Sequence, residues 1–180
     1  VSVGSVQMTT PALDFEGHAA TPIKNIEDIN LVRNYLIRNR KYRDNLMFIM
    51  GINFGLRCSD LVTLRYGDII TPDLTYRDPI WVREKKTAKK RKQAPDADGE
   101  YKLKNPRALY INDAVAEAFE LYCHGKVINL DDYIFTGRNG KPMSRQNVDE
   151  KFKKIINEKL NLNVHASTHF MRKTFAYHFI

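Results

Sequence analysis

The chain has 180 residues, 43% hydrophobic and 28% charged, with a formal net charge of +8 and a pI near 9.5. That is enough length for one domain, or at most two, with a sizeable core; no apolar run approaches the ~20 residues of a membrane span, and no secretory leader is read at the start. Cys58 and Cys123 have neither metal-ligand spacing nor a disulfide framework, so a reducing cytoplasm is expected, while the basic balance favours a polyanionic partner such as nucleic acid.

Residues 1–24 show no sustained period and are broken at Thr10-Pro11 and Thr21-Pro22, so they read as a linker or disordered N-terminal segment. From Asn25, a candidate cap, Ile26, Ile29, Val32, Tyr35 and Leu36 form a one-sided helical stripe, closed by the basic cluster Arg38, Arg40, Lys41 and Arg43. Helix two is expected over Asp44 to Phe54, apolar nearly all round and hence central in a core. Gly55 can end it at φ > 0.

Arg57 follows at once. Ser59 is a candidate cap for a third helix running to Tyr66, with Asp60 in its first turn and Gly67 closing it. Arg57 thus stands at a corner between two helices, with Asp60 near enough to orient it. It serves either an ordinary ion pair with Asp60 or an anion site.

Ile69 to Asp73 reads as a turn around Pro72. In Tyr76 to Lys86, Ile80 and Val82 alternate with Trp81 and Arg83, which predicts a short strand. Its partner in an antiparallel hairpin is expected at Arg107 to Ile111, with a long polar insert between. The run Arg83, Lys85, Lys86, Lys89, Lys90, Arg91 and Lys92 places seven positive residues against Glu84. It is either a solvated tip or a DNA-contacting one.

Asn112 is expected to cap a helix through about His124, with Val115, Ala118, Phe119 and Tyr122 on one face. Asn139-Gly140 marks a turn. Ser144 caps the next helix, which buries Val148, Phe152, Ile155, Ile156 and Leu160. Lys151, Lys153, Lys154 and Lys159 lie on its other face, for solubility or for DNA backbone contact. In the last stretch, capped by Ser167 or Thr168, Met171, Phe175 and Phe179 recur on one side for burial, and His178 reads as a core residue. His169 and Arg172 are neighbours at the start of that helix, a position that favours anions. The elements add up to a mainly α domain with a small antiparallel β-sheet.

Three of these stretches together resemble the tyrosine recombinases, the phage-integrase family of site-specific DNA recombinases. GLRCSDLVTLRYGDI resembles the family's first arginine motif, in which an acid follows the arginine by three residues. EKKTAKK resembles the hairpin motif, with a lysine just before a threonine. THFMRKTFAYH resembles the H-x-x-R motif that opens a later helix. The resemblance runs from about Thr21 to the end of the chain and implies an integrase-like catalytic domain over residues 25–180.

Carried over by residue, the resemblance makes Arg57 and Arg172 the phosphate-binding arginines, with Asp60 in support. Lys86 becomes the hairpin lysine, with Lys85 next in register, and His169 the histidine of H-x-x-R. Lys173 stands where many members have a second histidine, and Phe170 replaces a more usual small polar residue. The family's tyrosine follows the second arginine by some tens of residues. Tyr177, five residues after Arg172, comes too early. The chain is therefore expected to be a catalytic domain lacking its C-terminal end and its nucleophile.

The implied activity is recombination or integration, as in mobile genetic elements, by strand cleavage and rejoining through a 3′-phosphotyrosine, with no metal or other cofactor. The implied partners are double-stranded DNA and further copies of the protein assembled on it. Arg83, Lys85, Lys89, Lys90, Arg91, Lys92, Lys151, Lys153 and Lys154 are the candidate DNA-binding residues. The alternatives are a non-catalytic DNA-binding module, and an RNA-binding or nuclease domain in which the arginine pair is incidental.

Overall fold

Helix α2, Tyr42–Phe54, carries the core because it is apolar on every side: from Asp44 to Phe54 only Asn53 is not buried. In the computed structural model, which describes residues 19–84 and 106–179, three helices surround it. They are α1 (Ile26–Arg38), α5 (Asp113–Cys123) and α7 (Phe170–Phe179), with α6 (Arg145–Lys153) completing the domain. Two short helices follow α2, α3 (Cys58–Leu61) and α4 (Tyr66–Ile69). The strands β1 (Ile80–Val82) and β2 (Arg107–Leu109) pair antiparallel, Ile80 with Leu109 and Val82 with Arg107. The fold is the mainly α domain with a small antiparallel sheet that the sequence predicts. No described helix is long and apolar enough to cross a membrane.

Local chemistry explains most element ends. Asn112 caps α5, its side-chain oxygen accepting from the Val115 N–H at 3.0 Å, and Ser144 caps α6 by accepting from Asn147 at 3.1 Å. Gly55 ends α2 in the left-handed region at φ 59°. Helix α6 winds on as a π-helix, Lys154–Lys159, which keeps Ile155 and Ile156 buried.

Several expectations are corrected. Helix three is two short helices, and the first begins at Cys58, so Arg57 and not Ser59 holds its N-cap position. Gly67 lies inside α4 and not at a helix end; its absent side chain lets its N–H donate to the Leu130 carbonyl at 2.8 Å. Asn25 precedes α1 as expected but makes no capping hydrogen bond; its amide instead donates to Asp28. On α7 the buried residues are Phe170, Met171 and Thr174, while Phe179 is 62% exposed and stacks on Phe175 at 5.3 Å. His178 is half-buried, 2.9 Å from the Ile23 carbonyl. Residues 19–24, at the end of the stretch read as a linker, run along α7. Ile23 is buried there and donates to Thr174 Oγ1 at 2.9 Å.

Two glycines decide how close α7 comes. A Cβ at Gly51 would overlap Met171 Sδ, and one at Gly55 would overlap the Phe175 ring. A side chain at Gly55 would cost roughly 2–5 kcal/mol, combining the left-handed backbone with overpacking. This close crossing of α2 and α7 brings the start of α7 up to the corner where α2 gives way to α3.

Candidate active site

The corner is built by Gly55. Its left-handed turn releases the chain from α2, and Arg57 leaves in an extended conformation, φ −65° and ψ 146°, before α3 begins. Asp60, buried in the first turn of α3, donates its N–H to the Arg57 carbonyl at 2.9 Å. The Arg57 side chain points across to Glu84, just beyond β1, and forms an ion pair through Nη1 and Oε2. Arg172, in the first turn of α7, reaches the same carboxylate: its Nη1 lies 3.7 Å from Glu84 Oε1. Arg107, at the start of β2, comes to 3.5 Å from Oε1.

Three guanidiniums therefore surround one carboxylate that is itself only 14% exposed. Arg107 is held further by the Gly55 carbonyl at 3.4 Å and by the face of Phe175, 5.3 Å away. Arg172 Nη1 is buried and donates no hydrogen bond among the described residues. A rigid set of forks with spare donors is suited to a doubly liganded oxyanion such as a phosphodiester.

His169 precedes α7 and faces the same concentration of charge. Burial, and then Arg145, Arg172, Lys173 and Arg57, hold its imidazole below the usual histidine range. It is thus neutral at pH 7 and able to take a proton. Because its folded pKa is depressed, its contribution to stability is present above about pH 6.5 and lost as pH falls through the folded value. In a proton NMR titration, His169 should show a midpoint below 6.5 that rises when an anion fills the site. A midpoint at or above 6.5 in the free protein would contradict this placement.

Cys58, next to Arg57, is not a nucleophile: burial foremost pushes its thiol up to about 11, against a partial opposing pull from Arg145. Lys173, at the position of the family's second histidine, sends its ammonium to the Ala20 carbonyl at 2.7 Å. Tyr177 lies five residues beyond Arg172, about 140° further round the helix, so it faces away from the arginine.

The structure thus gathers Arg57, His169 and Arg172 at one place, with Asp60 buried beneath. Lys85, Lys86, Lys89, Lys90, Arg91 and Lys92 lie outside the described residues. Arg83 is exposed. Of the helical lysines, Lys151 is bound to buried Asp44 at 2.9 Å and Lys153 to Asp149 at 3.1 Å, while Lys154 is exposed. Lys151 therefore has a structural task that charge patterning alone did not reveal. Sequence reasoning also missed Glu84 and Arg107. The signal was present: strand alternation puts Glu84 on the inward side with Ile80 and Val82, and pairing puts Arg107 opposite Val82.

Comparison with known proteins gives a consistent picture. The family model described as the phage integrase family matches residues 22–180. A protein of Bacillus subtilis (strain 168), "Probable integrase/recombinase YoeC", is 32% identical over 163 residues, which is 90% of this chain and 76% of that protein. Among solved structures, XerA recombinase superposes with a TM-score of 0.61 at 14% identity, covering 89% of this chain and 49% of XerA. The Tn1549 transposon integrase, solved with circular intermediate DNA, gives a TM-score of 0.57 at 18% identity, covering 91% of this chain and 53% of that one. The chain thus spans about half the length of the solved proteins that share its fold.

Proposed function

This chain belongs to the phage integrase family, and we propose that it supplies the phosphate-binding part of a site that cleaves and rejoins DNA strands. The observation that carries the proposal is the meeting of Arg57 and Arg172, from distant parts of the sequence, on one carboxylate. Attack on a phosphodiester builds negative charge on its non-bridging oxygens. Two preorganised guanidiniums hold that charge with bidentate, charge-assisted bonds. In this reading a tyrosine of the kind the family uses attacks and keeps the bond energy as a 3′-phosphotyrosine, so rejoining needs no ATP. Neutral His169 takes or relays a proton on the attacking side, and Lys86 protonates the departing 5′-oxygen.

The partner in this proposal is double-stranded DNA, held by the arginine site and by the basic surface around it. A labelled duplex titrated at several salt concentrations should bind with log K falling linearly against log salt. Removing one side chain that neutralises a phosphate should reduce the magnitude of the slope by about 0.9. Lys154→Ala should show that reduction; Lys153→Ala should show less, because Asp149 already holds its ammonium. A slope near zero for the unaltered chain would overturn the DNA-binding reading.

A further inference from the structure

We infer that the phosphate seat has three arginines and not two, with Arg107 as the third, and that Glu84 occupies the seat until a phosphodiester displaces it. The inference rests on the phosphate-binding reading of Arg57 and Arg172. Glu84 divides its two oxygens as a phosphodiester would divide its two non-bridging ones: Oε2 goes to Arg57, and Oε1 to Arg107 and Arg172. The carboxylate stands in for the anion but serves it incompletely. Of the three arginines, only Arg57 is within hydrogen-bonding distance of it. Arg107 and Arg172 lie at 3.5 and 3.7 Å, and Arg172 Nη1 is left buried without an acceptor among the described residues.

One negative charge against three positive ones leaves a net +2, so the seat remains attractive to a larger anion. A tetrahedral phosphodiester brings the same charge with its non-bridging oxygens farther apart than those of a planar carboxylate. It can approach both outer arginines at once. Arg107 is also pinned by the Gly55 carbonyl and the Phe175 ring, so it needs no reordering to receive a ligand. While Glu84 is in place it cancels part of the field, so DNA phosphate must compete with it for the arginines. A neutral side chain of the same shape removes that competition.

The test compares Glu84→Gln, Arg107→Gln and Arg57→Gln with the unaltered chain, using a labelled duplex titrated at several salt concentrations and thermal melting with and without sodium sulfate. Glu84→Gln should bind the duplex on the order of tenfold more tightly. Its melting temperature should fall without sulfate and recover with sulfate more than that of the unaltered chain, because a ligand that binds only the folded state stabilises it. Arg107→Gln should bind on the order of tenfold more weakly, with a salt slope reduced by about 0.9; a merely structural role for Arg107 would not change that slope. If Glu84→Gln binds equally or more weakly while still melting cooperatively, Glu84 is a fixed positioner and the inference is overturned. If Glu84→Gln does not fold, an unchanged salt slope in Arg107→Gln overturns it instead. If Arg57→Gln leaves affinity and slope unchanged, the phosphate-binding reading itself fails; weaker binding there with no gain in Glu84→Gln removes only the present inference.

Discussion

In a protein extended to carry the nucleophilic tyrosine, Arg57→Ala and Arg172→Ala should each slow strand cleavage on the order of 100- to 1000-fold, roughly 3–4 kcal/mol. The size of the effect follows from where the two side chains are held. Arg57 is fixed by the turn at Gly55 and by the start of α3; Arg172 is fixed by the close crossing of α2 and α7. Neither guanidinium needs reorganisation when charge develops on the phosphate, so each acts at full strength in the transition state. Lysine at either position should recover little, because a point charge cannot reproduce a planar fork of donors. The measurement is single-turnover cleavage of a suicide duplex that traps the covalent intermediate. The 180-residue chain itself should form no covalent adduct with DNA. An adduct from it would place the nucleophile among its own tyrosines, and undiminished cleavage with both arginines replaced would remove the assignment of the site.

The parts of this site that the sequence reveals are those governed by local rules. Gly55 before Arg57 announces a turn at the end of a buried helix, and His169 with Arg172 announces a cationic helix start. Asn112 and Ser144 are legible as caps because a side chain three residues from its partner decides the outcome. What stays hidden depends on contacts between distant segments. Lys151 resembles its exposed neighbours in sequence, yet buried Asp44 claims it from another helix. Gly67 resembles a helix terminator, yet its role is to let the backbone near Leu130 approach. Phe179 repeats the apolar period of α7 but stays largely exposed, covered on one face only by the Phe175 ring. Glu84 is legible only as the lone acid in a basic run. That it faces inward follows from alternation, but that three arginines converge on it follows from the packing of α2, α7 and the two strands together.

Lys86→Ala should slow cleavage about 100- to 10,000-fold on an ordinary phosphodiester, the range of a positioned general acid. Lys86 lies outside the described residues, but its place in the chain is informative. It follows by two residues in the sequence Glu84, the carboxylate that the arginines share. In the proposed reaction the arginines stabilise charge on the non-bridging oxygens but offer no proton to the departing one. That 5′-oxygen leaves as an alkoxide unless a donor reaches it, and an ammonium is a suitable donor at neutral pH. A substrate with sulfur at the 5′-bridging position departs as a thiolate and needs no proton. It should therefore be cleaved by Lys86→Ala at nearly the rate of the unaltered protein, while Arg57→Ala stays slow on both substrates, since its task concerns the non-bridging oxygens. Lys85→Ala, tested in parallel, separates the two adjacent lysines, because only the one that donates the proton should show rescue by sulfur. If Lys86→Ala is equally impaired on both substrates, Lys86 acts by binding or positioning and the leaving-group role falls.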